Sequence, residues 1–254
     1  MNFIDLIRKK KYENNGKVLA ALYGHLTHYV LDSKFHPYVI YKMGEYYRNK
    51  PWTYKYKGQH NKMEWELDAY FYEMRENKEF RKFKMNRIYS IKIIDEELED
   101  ILNDNYFEVF GIKGCGKKYK KGILLTKFGL KFTIEDKYGI KKKIYTLIDK
   151  FTPNKTKLLS VFSTYIVKID ESILNESHGL WYNPWNNNIK SNQSMLELYE
   201  ESVCECRILF EATYKYIHGE LDKEEYMKFL GRNSYVTGLP WDEYEYQDIK
   251  YIEY

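Results

Sequence analysis

Apolar residues recur at intervals of three and four along most of the chain, and clusters of Gly, Pro and Asn separate the periodic stretches. Period-two alternation is scarce, so the pattern is that of an all-α protein. A helix is predicted from about Lys17 to Phe35, because Asn14-Asn15-Gly16 breaks the chain before it and Pro37 ends it. A second begins near Gly58 and runs into the charged stretch around Lys82. Asp95 is an N-cap for a third, with Glu96 and Glu97 in the first turn, where the positive end of the helix dipole favours acids. Ser194 and Glu197 have capping-box spacing and open a long amphipathic helix that Gly219 can close; Asp222 and Glu225 repeat the signal before Gly231. Between residues 111 and 150 the periodicity is poorer. KGILLTKFGLKFTIED fits either a helix or a hairpin, and the helical reading is preferred. ESHGLWYNPWNNN, rich in Asn, Gly and Pro, cannot sustain a helix and is read as the connection into the last long helix.

Length changes this picture little. A chain of 254 residues can bury one sizeable core, and no repeat or low-complexity linker divides it, so a single compact multi-helix domain over residues 1–254 is expected. With 44% hydrophobic and 31% charged residues the composition excludes disorder, and 27 tyrosines replace much of the usual aliphatic content. No apolar run approaches the ~18 residues of a membrane span. The opening MNFIDLIRKKKYENN places its apolar stretch before the lysines and carries Asp5 inside it, the wrong order for a secretory signal, so a cytoplasmic location is expected. Cys115 stands alone, while Cys204 and Cys206 are two apart on a helical stretch and face different sides; all three read as free thiols. A net charge of +4 does not by itself imply nucleic acid. Lysines crowd residues 113–143 and the tail from Trp241 is acidic, an asymmetry read as solvated faces.

Candidate chemistry concentrates in HLTHYVLDSKFHPYV, residues 25–39, which holds three of the six histidines. On a helix, His25, His28, Asp32 and His36 form one stripe. Further on, GQHNKMEWELD places His60 and Glu64 four apart, with Asp68 continuing the row. Neutral imidazoles and carboxylates are ligands that zinc prefers, and pairs of donors at four-residue spacing on neighbouring helices are how helical bundles build metal sites. His25 is a ligand or an outer hydrogen-bond donor. Asp68 either orients a ligating histidine or is an exposed helix residue. His178 and His218 read as hydrogen-bonded structural residues.

YGHLTHYVLDSKFHPYV followed by GQHNKMEWELDAYF resembles the signature of the bacterial zinc-dependent phospholipase C family, similar to the secreted phospholipases C and to the fungal single-strand zinc nucleases of the same helical fold. The likeness extends through LNESHGLWYNP, SMLELYEE and GRNSYVTGLPW. It implies up to three zinc ions, one of them held by His36, His60 and Glu64. His28 and Asp32 would serve a second ion, with Asp32 able to bridge and Asp32 and Glu64 as the catalytic carboxylates. It also implies a phosphoester or phospholipid substrate, attacked by a zinc-bound hydroxide. Two departures stand out. The Asp32 to His36 interval is shorter than in the secreted enzymes, and the position before Pro37 biases His36 out of the α region. No histidine precedes His25, so relative to the family the domain is expected to be N-terminally incomplete and its remaining zinc sites deficient in ligands; a non-catalytic, zinc-stabilised binding or scaffold member is the alternative.

Trp181, Tyr182 and Trp185 could wall a substrate site, although such clusters more often pack a core under a loop. Lys113, Lys117, Lys118, Lys120 and Lys121 could attract anionic lipid, in at most peripheral membrane contact, or nucleic acid; a solvated loop is the preferred reading, and no clear nucleic-acid partner is implied. GIKGCGKK, residues 111–118, matches the start of a P-loop, but Lys118 stands where a magnesium-binding hydroxyl belongs. IYTLID and TYIVKID would be its acidic strand ends, yet the βαβ rhythm is missing, and the match is read as chance.

Overall fold

The structure is a computed structural model describing residues 1–152, 159–166 and 168–243. The acidic tail beyond Glu243, and Val167 within TYIVKID, lie outside the described residues. The α-helices are α1 (Asn2–Lys10), α2 (Gly16–Met43), α3 (Gln59–Glu76), α4 (Glu96–Phe110), α5 (Cys115–Gly129), α6 (Ile140–Phe151), α7 (Met195–Ile217) and α8 (Lys223–Leu230). One antiparallel ribbon, β1 (Trp181–Tyr182) with β2 (Lys190–Ser191), interrupts the long connection into α7. The all-α expectation holds.

Caps explain most helix starts. The Asn15 side chain accepts from the backbone N–H of Lys17 and Val18, opening α2, and Asp95 accepts from Leu98 N–H at 2.9 Å to open α4. Ser194 and Glu197 form the reciprocal capping box of α7. Asp222 caps α8 in the same way as Asp95 caps α4, through Glu225 N–H.

Pro37 does not end α2. The helix runs through it to Met43, and His36 stays helical. A proline inside a helix costs about 3 kcal/mol, but Tyr38, Val39 and Ile40 are almost completely buried just beyond it, and each such burial is worth about 1.5–3 kcal/mol. Burial wins. Pro37 cannot donate to the Ser33 carbonyl, and Gly238 fills the space beside them: a Cβ there would lie 2.4 Å from Ser33 O. The second helix also differs from expectation, since α3 stops at Glu76, Asn77 turns left-handed, and Glu73 captures Phe80 N–H at 2.8 Å. Residues 80–82 form a separate short turn.

The 111–150 region is helical, as preferred. α5 passes into a π turn at Leu130–Ile134, and α6 follows. The P-loop-like glycines are explained by the α4–α5 corner. Gly111 caps α4 in the left-handed region, Gly114 precedes α5 likewise, and Gly116 lies so close to Glu99 that a Cβ would meet its backbone oxygen at 2.8 Å. A helix, not a strand, precedes this corner. Lys117, Lys118, Lys120 and Lys121 accordingly sit on α5 rather than on a loop.

α2 is the spine. Its first half packs with α1, α4, α7 and α8 around Ile7, Val18, Val30, Ile101 and Tyr226. Its second half contributes Tyr38 and Val39 to another core with Met63, Ile173 and Met195. His36 therefore lies where α2 crosses α3.

Candidate metal centre

His36 is one turn beyond Asp32 on α2, and His60 and Glu64 are one turn apart on α3, so two rigid helices present donors to one another. Among the described residues, His36, His60 and Glu64 form the group of three metal-type donors that converges: one ligand atom of each lies within 4.8 Å of the others. Glu64 Oε1 is 2.9 Å from His60 Nε2 and 3.6 Å from His36 Nε2.

Each histidine is held from behind. His36 Nδ1 donates to the Tyr235 carbonyl at 2.7 Å, and Glu45 Oε2 lies 3.5 Å from His60 Nδ1. Both rings therefore turn Nε2 toward Glu64. Anchoring the far nitrogen in this way fixes tautomer and orientation, as metal-ligating histidines require. Neither anchor is marked by the donor spacing that marks the ligand rows, although Tyr235 falls within GRNSYVTGLPW. Glu45 follows the end of α2 outside any periodic row, and Tyr235 acts through its backbone from 199 positions away.

The charges are mutually dependent. Burial would lower His60, but Glu45 and Glu64 outweigh it and hold the imidazole at about 9. Burial opposes the charged form of His36 too, and Glu64, the Tyr235 carbonyl and Asp32 reverse the direction and raise it. Glu64 is pushed up by burial and pulled down further by the two histidines, to about 2. Without metal, then, Glu64 is paired with the His60 imidazole at 2.9 Å, and its charge favours the protonated form of both histidines. Two imidazole nitrogens and one carboxylate oxygen are the donor set of open zinc sites, which keep a fourth position for water or substrate. The residues present fit zinc.

The other candidates lie around this cluster. Asp32 is 4.0 Å from His36 Nδ1 and 3.2 Å from His28 Nε2, and His28 is 65% exposed, on the outer side of the row. Burial raises the Asp32 carboxyl, with His36 and His28 opposing. His25 Nε2 bonds the Tyr235 hydroxyl at 3.0 Å, so it touches the residue whose carbonyl holds His36. Asp68, one turn past Glu64, keeps solvent contact; the protein around it and the Glu64 charge push its carboxyl up to about 6. His178 and His218 bond the carbonyls of Asn192 and Tyr214 respectively.

A cavity of about 380 Å³ opens beside the cluster, lined by His36, Glu45, Tyr46, Tyr56, Lys57 and His60 among others. Of the two readings of the tryptophans, a substrate wall or core packing under a loop, the structure favours the second. Trp181 is buried edge-on to Tyr38 with its Nε1–H on the Gln193 carbonyl, and Trp185 is buried with Ile40 and Leu239. Tyr182 lies near Tyr41. The two tryptophans pack the core and Tyr182 stays half-buried at its edge, because the surrounding loop folds back onto the second half of α2.

Residues 1–113 match the family model described as zinc dependent phospholipase C. The match contains every candidate ligand and supports the resemblance drawn from the His, Asp and Glu rows; it stops short of LNESHGLWYNP, SMLELYEE and GRNSYVTGLPW. No curated protein and no solved structure matches the chain. Among the described residues, no helix is long and apolar enough to cross a membrane.

Proposed function

We propose, from the match of residues 1–113 to the zinc-dependent phospholipase C family, that the chain is a zinc-dependent phosphoester hydrolase acting on a phospholipid or a related phosphodiester. The observation that carries this reading is the convergence of His36, His60 and Glu64 within 4.8 Å beside an open cavity. Zinc bound there would supply Lewis-acid activation of water and of a phosphoryl oxygen. The chain's own residues do the positioning. Glu45 and the Tyr235 carbonyl aim the two imidazoles, and Glu64 supplies the negative charge that balances the cation. Lys57, whose ammonium rests 5.6 Å from the Tyr46 ring, brings positive charge to the cavity for a substrate phosphate. Asp32 and His28 extend the row and are the side chains we assign to a second ion, with Asp32 and Glu64 as the catalytic carboxylates.

The exposure of His28 favours one further reading, a zinc-stabilised family member without catalysis, because His28 and Asp32 alone are two donors where zinc takes about four. A panel of chromogenic phosphomonoesters, phosphodiesters and short-chain phospholipids, run with the zinc-loaded chain and Glu64→Gln, separates the two. Hydrolysis lost in the variant supports the hydrolase. Zinc-dependent thermal stability with no turnover on any substrate supports the scaffold.

A further inference from the structure

α6 is an amphipathic helix turned inside out. Ile140, Ile144, Leu147, Ile148 and Phe151 share one face, and each is between 43% and 81% exposed. The polar face points inward and is locked there. Asp149 is buried, its carboxylate accepting from Leu159 N–H at 3.1 Å and Ser160 N–H at 2.9 Å. Lys142 donates from Nζ to the Ser160 carbonyl and from its backbone N–H to the buried Asp136. With those bonds made, the helix cannot roll its apolar face into the protein without breaking the bonds that Asp149 and Lys142 make and leaving the Leu159 and Ser160 N–H groups without their acceptor.

The neighbouring segment shows the same combination of apolar and basic groups. Lys141 and Tyr145 of α6 bond the carbonyls of Lys131 and Thr133, so α6 adjoins the π turn after α5. There Phe128 and Phe132 stack at 6.1 Å, both about two-thirds exposed, beside Lys127 and Lys131. Those two lysines, with Lys84 and Arg87, line a cavity of about 330 Å³ whose one acid, Glu135, is occupied by Asn86 N–H. Residues 113–151 carry twelve lysines against three acids, two of them the buried Asp136 and Asp149.

We propose that the α5–α6 face is a docking surface for an anionic phospholipid bilayer, with the apolar row of α6 and Phe128 and Phe132 entering the interface while Lys127, Lys131, Lys84 and Arg87 bind lipid phosphates. Charge complementarity selects this occupant. A second copy of the chain would set one lysine-rich face against another, whereas an anionic leaflet attracts lysines and accepts apolar side chains at the same depth. The surface is independent of the metal centre, so binding and hydrolysis can be read separately.

The test is co-sedimentation of the full chain, as purified, with vesicles of phosphatidylcholine alone or containing about 30 mol% phosphatidylglycerol, with released water-soluble phosphocholine and phosphoglycerol measured in parallel. Binding about tenfold or more stronger on the anionic vesicles, weakened by salt, is expected. Lys127→Gln with Lys131→Gln should cost about thirty-fold, and Leu147→Ser with Phe151→Ser about tenfold, whereas Lys228→Gln on α8 should change nothing. All these side chains are exposed, and far-UV dichroism checks that each variant folds. Equal binding to both vesicle types overturns the proposal, as does wild-type binding by folded variants of both pairs. So does a dimer, seen by sedimentation, that Leu147→Ser with Phe151→Ser dissolves, because a second copy would then be what covers the face.

Discussion

The His36 imidazole and the Tyr235 backbone are joined by a 2.7 Å hydrogen bond from Nδ1 to the carbonyl, and this bond ties the last described loop to the proposed metal ligand on α2. The loop that carries Tyr235 is seated by Gly238, whose Cα rests in the notch that Pro37 leaves at Ser33. Gly238→Ala should therefore act at a distance. Its φ of +65° and the 2.4 Å contact a Cβ would make with Ser33 O predict a loss of about 1–3 kcal/mol, with weaker zinc binding. Gly24→Ala, where nothing lies within 4 Å of the new Cβ, should instead be neutral or stabilise by up to about 1 kcal/mol. Denaturant titration of both variants checks this; equal stability would show that the Gly238 contact is not needed.

Glu45 is expected to matter for zinc although it is not a ligand. Glu45→Gln removes the charge behind His60 Nδ1 and should lower zinc affinity about 10- to 100-fold, measured by chelator competition. His28→Ala should leave that affinity nearly intact, since His28 lies outside the converging group.

pH dependence follows from the same charges. Although burial favours neutral imidazole, its carboxylate partners raise His60 from an ordinary 6.5 to about 9. The stability it gives the metal-free fold is full below 6.5 and lost as pH climbs through about 9. Glu64, lowered from 4.5 to about 2 by its histidines against the effect of burial, contributes above 4.5 and fails as pH falls through about 2. The cluster therefore stabilises the metal-free chain most between 4.5 and 6.5. Zinc must displace the His60 proton, so its affinity should rise from pH 6.5 to 9, and calorimetry in buffers of different ionisation heat should detect about one proton or more released near neutrality.

The glycine and lysine run at the α4–α5 corner makes an opposite pair of predictions. Lys117→Ala should stay within about 0.5 kcal/mol of wild type and reveal no magnesium-ATP binding, because its side chain is on the solvent side of α5. Gly116→Ala should destabilise markedly, since its Cβ would meet Glu99. Saturable calorimetric binding of magnesium-ATP that Lys117→Ala abolishes would contradict the packing explanation.

Helical periodicity and caps made α4, α7 and α8 legible in the sequence, because Asp95, Ser194 and Asp222 act on backbone within three residues. Donor spacing likewise exposed the two rows that hold His36, His60 and Glu64, and the family resemblance singled out these three from the rows. Pro37 misled for a physical reason: a local rule worth about 3 kcal/mol was outweighed by burial of Tyr38, Val39 and Ile40, which no local window contains. Glu45 and Tyr235 were invisible because one sits outside any periodic row and the other acts through a carbonyl that every residue possesses. α6 was hidden differently. It lies in the stretch of poorer periodicity, and pattern alone cannot say that the polar face is the one turned inward.

Zinc analysis of the chain purified without chelator, alongside His60→Ala, bears most directly on the central claim that His36, His60 and Glu64 form a metal centre. About one tightly held zinc per wild-type chain, and almost none in folded His60→Ala, is the predicted result. Wild-type protein that stays near zero zinc after reconstitution, or a folded His60→Ala that retains the same tight ion, would contradict it.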